Sequence, residues 1–206
     1  MKKYINVFIK AISAGIAIGI GGTVYLSCND RYIGSFLFGI GLFIILNYGY
    51  NLYTGKIGYL ADRLKDTGAS YLIDISLIWL GNFAGTAITA VLISQTRVRG
   101  LQEKAKLLCD TKMQDDILSL FVLALYCGAL MFIAAEGFKK CDNSLGRNIA
   151  TFLPVAVFIL CGFEHCVADM YYFALAGCWS GKMWLALITI TAGNTVGGIT
   201  LRQMTK

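Results

Sequence analysis

Long apolar segments recur along the whole length of this 206-residue chain and restrict the folds open to it. Six can be drawn, over residues 8–27, 33–60, 71–94, 117–138, 149–179 and 183–201. Each reaches about the 20 residues that a helix needs to cross the hydrocarbon core of a bilayer. Only 15% of the residues are charged, against about 25% in soluble domains. The sequence predicts an all-α integral membrane protein with six transmembrane helices in a single domain, residues 1–206.

The basic residues lie mainly in the connections between the apolar segments. Such a distribution is typical of orientation signals and not of a nucleic-acid-binding face, so no nucleic-acid partner is predicted. With the N-terminus inside, eleven of the 18 Lys and Arg residues fall on the inner side and seven on the outer side. This excess predicts a multi-pass protein of the cytoplasmic membrane with both termini in the cytoplasm.

The motif GNxxG occurs once in each half of the chain, at Gly81–Gly85 and at Gly193–Gly197. The segment before each motif is interrupted by polar and small residues, over residues 47–56 and 162–169. With three segments each, the halves (about 1–100 and 101–206) must insert with opposite topology, as in an aquaporin-like fold. Unwound backbone survives in a membrane only where protein or a water-filled cavity covers it. Paired interruptions in inverted halves therefore indicate a transport path near the bilayer midplane.

His165 is the only histidine and lies in the second of these interruptions, next to Glu164. An ionisable side chain inside a membrane segment is a functional candidate by default. Burial disfavours the charged imidazolium, and the neutral ring offers one donor and one acceptor, which suits a small oxyanion or a proton passed to it. Thr54 precedes Asn82 by 28 residues and His165 precedes Asn194 by 29, so each half has a whole helix, an interrupted helix and a helix with the GNxxG motif.

Several other polar residues allow more than one interpretation. Asn194 is expected to bond to the interruption of the fifth segment, whereas Asn82 is expected mainly to pack between its glycines. Glu164 is expected to be a hydrogen-bonding group at a helix end, and Asp169 either an interface partner or a helix cap. An isolated lysine in an outer connection, such as Lys112, is ordinarily solvated.

Metal binding and enzymatic activity are also considered for this interruption. A zinc site from Cys161, His165, Cys166 and Asp169 matches no structural zinc spacing. The consecutive residues Glu164, His165 and Cys166 cannot converge on one substrate from a helix. We therefore predict no metal, no cofactor and no enzymatic activity.

The run GFEHCVADMY at residues 162–171 resembles the GFEHSVANMY signature of the formate/nitrite transporters. The runs GNTVGG at residues 193–198, LYTG at residues 52–55 and AG with IG at residues 14–19 also resemble motifs of that family. The resemblance implies a homopentamer in the lipid bilayer, with one pore in each six-helix protomer. It implies as substrates small monovalent anions such as formate, nitrite or hydrosulfide, or their conjugate acids, with protons as a further partner.

The resemblance also implies which residues line that pore. The central histidine of the family falls on His165, its loop threonine on Thr54, its last-helix asparagine on Asn194 and its vestibule lysine on Lys112. Apolar constrictions are expected from six further residues: Phe38, Leu42, Leu52, Tyr53, Met131 and Phe158. An anion would gather at Lys112, lose its water in the constrictions and share a proton with His165.

Some positions depart from the family pattern. Gly128 and Asp169 each stand where the family usually has Asn, and Asn51 stands where it usually has an acidic residue. The counterpart of Lys112 in the first half would precede Met1, so the cytoplasmic vestibule is expected to lack its matching lysine. The alternative function is an aquaporin-like channel for small neutral solutes. Against this alternative, the sequence lacks the pair of NPA motifs expected of such a channel, since its only proline is Pro154.

Overall fold

A computed structural model describes residues 2–206, and every regular element in this range is an α-helix. The eleven helices, in chain order, are α1 (Lys2–Ser27), α2 (Arg31–Leu37), α3 (Ile40–Tyr48), α4 (Tyr53–Ile57), α5 (Leu60–Thr67), α6 (Ser70–Ser94), α7 (Leu101–Gln114), α8 (Ile117–Lys140), α9 (Ser144–Leu160), α10 (Cys166–Ala176) and α11 (Gly181–Met204). The all-α class is confirmed.

These helices make six crossings. Helices α1, α6, α8 and α11 are 24 to 26 residues long, and α2 with α3 forms a run of 18 residues. These five runs are long and apolar enough to cross a membrane. The remaining crossing is divided between α9 and α10, with 17 and 11 residues. The prediction of six crossings, the second and fifth interrupted, is confirmed.

Two of the predicted boundaries need correction. The second segment was predicted over residues 33–60, but its long helical run ends at Tyr48, and the chain continues as the short helices α4 and α5. The outer connection before the fourth crossing, predicted as a loop, contains α7. The buried residues of α7 are Leu101, Ala105 and Cys109, which repeat every four positions along one face, and this helix packs against α10.

The GNxxG glycines allow two pairs of helices to pack closely, α1 with α6 and α8 with α11. A Cβ on Gly85 would overlap the carbonyl oxygen of Ile12, and a Cβ on Gly197 would overlap that of Leu125. Ile12 and Leu125 are 113 positions apart, so the two halves repeat one contact. A Cβ on Gly128 would likewise meet the backbone of Asn194, which shows that Gly128 serves the packing of α8 on α11 and leaves no room for a larger side chain.

The same turn builds both interruptions. Gly49 follows α3 with φ 64°, and Gly162 follows α9 with φ 69°, in the left-handed region that suits glycine. The N–H of the next residue then donates to the carbonyl five positions back, at 2.9 Å for Tyr50 and 2.8 Å for Phe163. This bond closes helices that end in a left-handed residue. The helix before each interruption, α3 or α9, therefore ends with the same type of turn.

Candidate functional site

Asn82 on α6 holds the first interruption in place. Its Oδ1 accepts a hydrogen bond at 2.8 Å from the N–H of Tyr53, the first residue of α4. Its Nδ2 donates to the carbonyls of Ala11 and Asn51, both at 2.8 Å. The side chain thus satisfies two backbone groups, at Asn51 and Tyr53, that the break would otherwise leave unpaired in a buried place, where each costs about 1–3 kcal/mol, and it ties them to Ala11 on α1. The prediction that Asn82 mainly serves packing is wrong.

Asn194 on α11 repeats this set of three bonds, two to the second interruption and one to α8. Its Oδ1 accepts from the N–H of Cys166 at 2.9 Å, and its Nδ2 donates to the carbonyls of Ala124 and Glu164 at 2.8 Å. The hydrogen bond predicted from Asn194 to the fifth segment is present. His165 lies between the two residues that Asn194 fixes, so Asn194 sets the position of the histidine.

His165 and Leu52 are the equivalent residues of the two breaks. Each is the extended residue directly before a half-helix, with φ −112° and ψ 108° for His165 and φ −96° and ψ 131° for Leu52. The position in the first half that corresponds to His165 is therefore Leu52, two residues before Thr54. Thr54 instead contacts His165 across the two halves, and its Oγ1 lies 2.8 Å from the Nε2 of His165.

The hydrogen bonds of His165 define its tautomer. Nδ1 lies 3.1 Å from the N–H of Ala168 and accepts from it, which caps α10. Nδ1 therefore carries no proton, and the proton of the neutral ring lies on Nε2, which donates to Thr54. The hydroxyl hydrogen of Thr54 stays available for another acceptor. Thr54 and His165 are both buried, so this pair is a small polar site within an apolar core.

A cavity of about 220 Å³ adjoins His165, and we call it the histidine cavity. Lys112, Glu164 and Asp169 also line it. The ammonium of Lys112 bonds to the carboxylate of Glu164 and lies 3.0 Å from Oδ1 of Asp169. Among buried side-chain atoms of residues 2–206, the other Asp169 oxygen, Oδ2, is one of two without a hydrogen-bond partner.

Lys112 is therefore a paired charge and not a solvated one. Burial by itself would lower the pKa of Lys112, but Asp169 and Glu164 raise it above its ordinary value, so the lysine keeps its proton. Arg31 lines the same cavity and donates to the carbonyl of Leu160 at 2.9 Å, near the end of α9. Two cations thus face two carboxylates, and the histidine cavity has no formal excess of positive charge.

A second cavity, of about 150 Å³, lies at the first interruption, and we call it the lysine cavity because Lys56 and Lys139 line it. Its lining corresponds to that of the histidine cavity with a shift of 113 positions. The residues concerned are Gly49, Tyr50, Leu52, Gly55 and Lys56, which match Gly162, Phe163, His165, Ala168 and Asp169. The inverted repeat therefore produces two related cavities.

The six residues predicted to constrict the path are all buried, but they do not lie together. Leu42 and Leu52 line the lysine cavity, and Phe158 lines the histidine cavity. The ring of Phe158 stacks on His165 with 5.5 Å between centroids, and Phe38 meets Phe158 edge-on at 5.9 Å. Three of the six predicted residues thus line one of the two cavities, and Phe38 contacts one of these three.

Tyr53 and Met131, like Phe38, line neither of the two cavities. The hydroxyl of Tyr53 is 2.8 Å from Oγ1 of Thr195 on α11, and its side chain lines a separate groove with Trp79. Met131 is buried in the core and lines neither of the two cavities.

The ion pairs of Lys112 with Glu164 and Asp169 were not predicted, although the sequence of α7 contains an indication of them. Lys112 lies eleven positions after Leu101, on the same face of α7 as Ala105 and Cys109, so helical periodicity would have placed it on the buried side. A buried lysine requires counter-charges, and the GFEHCVAD run supplies two, Glu164 in the break and Asp169 in the first turn of α10, the helix against which α7 packs.

The fold and these paired cavities define a multi-pass helical membrane protein with two inverted three-helix repeats. The chain belongs to the formate/nitrite transporter family, because the sequence profile described as formate/nitrite transporter matches residues 1–206.

Characterised relatives agree with this assignment. The chain is 29% identical over 194 residues to the formate channel FocB of Escherichia coli (strain K12), covering 84% of this chain and 67% of that protein. It is 23% identical over 181 residues to the formate channel FocA of Haemophilus influenzae, covering 80% of this chain and 64% of that protein. The chain thus spans about two thirds of the length of these relatives.

Solved structures show the same fold. A structure described as a pentameric formate channel with formate bound matches with a TM-score of 0.81 at 24% identity, over 99% of this chain and 96% of that one. A structure described as an FNT family ion channel matches with a TM-score of 0.80 at 22% identity, over 98% and 87%.

Proposed function

We propose that this chain forms a channel for small monovalent anions of weak acids, or their conjugate acids, with passage linked to protons through His165. Formate, nitrite and hydrosulfide are the candidate substrates. The observation that carries the proposal is the buried hydrogen bond between Thr54 and His165, set in an apolar core between two cavities of common repeat origin. The formate channels among the relatives support the substrate class.

The two cavities are the vestibules of the path in this proposal. Because the repeats are inverted, the cavities open to opposite faces of the membrane. With both termini in the cytoplasm, the lysine cavity is the inner vestibule and the histidine cavity the outer one. Residues 1–206 then act as one channel domain in the cytoplasmic membrane, and the likeness to a pentameric channel supports a homopentamer.

The apolar residues between the vestibules act as a barrier to a hydrated ion. Leu42, Leu52, Phe38 and Phe158 offer no hydrogen bonds, and a bare anion among apolar groups is strongly disfavoured. Loss of hydration raises the affinity of the anion for a proton, because the charged form loses most on desolvation. The substrate therefore crosses this stretch as a neutral acid or with a shared proton.

The polar pair provides that proton contact. The Nε2–H of His165 can turn from Thr54 to the substrate, and the Thr54 hydroxyl can donate a second hydrogen bond. Asn194 holds the backbone on both sides of His165, and Lys112 holds Glu164 and Asp169 around the outer vestibule. In this arrangement Lys112 organises the outer vestibule and is balanced by carboxylates.

The test is flux in proteoliposomes, with formate, nitrite and hydrosulfide offered in turn and chloride and glycerol as controls. We expect fast flux of at least one weak-acid anion that increases as the pH falls, and no glycerol flux. His165→Phe, which replaces the ring by one without nitrogens, should change the pH dependence.

Two outcomes would count against the proposal. Glycerol flux without anion flux would assign the chain to the neutral-solute class. An unchanged pH dependence in His165→Phe would remove His165 from the proton linkage while leaving the anion path intact.

A further inference from the structure

Lys56 lines two cavities at the same end of the molecule. One is the lysine cavity of about 150 Å³, and the other is a cavity of about 300 Å³ that Lys3, Arg63, Asp74 and Lys139 also line, which we call the basic cavity. Lys56 and Lys139 are common to both linings. The side chains of Lys56 and Lys139 are therefore part of the walls of both cavities.

The backbone at Lys56 is held by its neighbours. Its carbonyl accepts a hydrogen bond from the hydroxyl of Tyr71 on α6 at 2.9 Å and another from the N–H of Tyr59 at 3.2 Å. Asn82 fixes the first residue of the same short helix, α4. The short helix α4, which carries Lys56, is thus held at two points by side chains of α6.

Three acidic residues at this end, Asp62, Asp74 and Glu136, pair with cations other than Lys56. Oδ2 of Asp74 pairs with Lys3 at 3.0 Å, while the other oxygen, Oδ1, is buried and has no hydrogen-bond partner within residues 2–206. Asp62 pairs with Arg202 at 2.7 Å and also with Lys206.

Glu136, the acidic residue on α8, is also occupied. It lies 3.4 Å from Lys140 and 3.7 Å from Lys139, and it accepts from the hydroxyl of Tyr59. Lys56 appears in no ion pair and donates no side-chain hydrogen bond within residues 2–206. Its charge therefore faces the cavities without a protein counter-ion.

The repeat gives a second, independent observation. Lys56 occupies the position that Asp169 occupies in the other half, 113 residues later. Asp169 lies in a cavity where two cations meet two carboxylates, whereas the lining of the lysine cavity contains two lysines and no acidic residue. The two ends of the path therefore differ in charge although they share one architecture.

We propose that Lys56 is the anion-binding group of the inner vestibule, so that this channel attracts its substrate more strongly from the cytoplasmic end than from the other end. The proposal rests on the proposed function and names a further residue of that path. It also replaces the expectation that the cytoplasmic vestibule lacks a matching lysine, because Lys56 supplies that charge from α4. An uncompensated charge in a cleft raises the local concentration of the opposite ion.

The experiment measures formate flux from each side of oriented proteoliposomes as a function of formate concentration. Wild type, Lys56→Gln, Lys56→Arg and the control Lys65→Gln are compared. Lys65 is exposed on α5 and lines neither the lysine cavity nor the basic cavity. Lys65→Gln therefore changes the net charge by the same amount as Lys56→Gln without altering either cavity. Flux is measured at ionic strengths of about 0.01 M and 1 M, where the Debye length is about 30 Å and 3 Å.

We expect Lys56→Gln to raise the half-saturating formate concentration from the cytoplasmic side about tenfold at low ionic strength, the lower end of the effect of a charged cleft. The change should be much smaller at high ionic strength and from the other side, and Lys56→Arg should resemble wild type. If Lys56→Gln does not fold, Lys56→Met, which keeps the apolar stem, serves in its place. Equal behaviour of Lys56→Gln and Lys65→Gln from both sides would overturn the inference, whereas a wild type without anion flux would overturn the proposed function itself.

Discussion

Thr54 and His165 come from different halves of the chain, 111 residues apart, and share one short hydrogen bond. The direction of this bond follows from the opposite side of the ring, where Ala168 donates to Nδ1. A backbone N–H at a helix start thus determines which proton the histidine offers to the path. Its neighbours turn elsewhere, since Glu164 bonds to Lys112 and the N–H of Cys166 bonds to Asn194.

Replacement of Thr54 by Val tests the polar pair with almost no change of shape. The change leaves the Nε2–H of His165 without its acceptor and removes the hydroxyl proposed to donate to the substrate. A hydrogen bond to a charged group contributes about 1.5–3 kcal/mol, so we expect anion flux to fall at least about tenfold. Initial rates in proteoliposomes measure this, with Thr54→Ser, which keeps the hydroxyl, as the control. Flux in Thr54→Val equal to that of Thr54→Ser would contradict the proposed contact.

Asn82 and Asn194 each form hydrogen bonds with backbone groups that an interruption leaves without a helical partner. Asn82→Ala and Asn194→Ala should each destabilise the protein by a similar amount, about 1–3 kcal/mol for each buried group left unpaired. Thermal unfolding in detergent measures the effect. Asn47→Ala is the matched control, because Asn47 is exposed and its side chain bonds only to the carbonyl of Phe43. A normal melting temperature in Asn82→Ala would show that the first interruption does not depend on this side chain.

The helices α8 and α11 approach each other through glycine, as α1 and α6 do. Without bulky side chains at the contact, the backbones can pack closely, which favours association inside a membrane. The close approach brings Asn194 within hydrogen-bond distance of the interruption between α9 and α10. The packing of one helix pair therefore determines where the functional break lies.

A methyl group at this contact should separate the two helices. The Cβ of Gly197→Ala would overlap the carbonyl oxygen of Leu125, so we expect a loss of about 1–3 kcal/mol, as for other overpacked sites. Gly181→Ala, at the start of the same helix, meets nothing within 4 Å and serves as the control. Unfolding in detergent distinguishes the two, and equal stability of both variants would contradict the close contact.

At the scale of the whole molecule, ion pairs of Asp62 connect α5 to the end of α11. These ion pairs link the last crossing to the first half of the chain. Lys206 and Arg202 hold the pKa of Asp62 at about 2, below its ordinary value of 3.8. Because the folded-state pKa is lowered, this tie is fully present above the ordinary pKa and is lost as the pH falls towards the lowered one.

We expect Asp62→Asn to loosen the last turn of α11 at neutral pH. Amide hydrogen exchange in that turn should be faster in Asp62→Asn than in wild type at neutral pH, and the difference should disappear near the lowered pKa. Asp66→Asn, an exposed change in the same helix, is the control. A difference between Asp62→Asn and wild type that persisted below the lowered pKa would show that the ion pairs are not its cause.

Much of the fold could be read from the chain because its signals are local. The length of the apolar segments indicated six crossings, and the repeated GNxxG motifs with the interruptions before them indicated inverted halves. His165 and Asn194 were also found in this way, since each lies in or beside one of these motifs. Both types of signal depend on residues that are near one another in sequence.

The remainder of the site depends on contacts between distant residues. The charges of Lys112 and Lys56 look alike in sequence, yet α7 turns Lys112 towards Glu164 and Asp169, whereas the cations around Lys56 leave it without a counter-ion. The alignment of His165 with Leu52, the contact of Thr54 with His165 and the turning of Tyr53 towards Thr195 likewise follow from how the halves pack. The composition of an apolar segment is enough to predict that it crosses the membrane. The direction and partner of each polar side chain depend instead on the rotation and separation of the surrounding helices, because hydrogen bonds and ion pairs form only over a few ångströms.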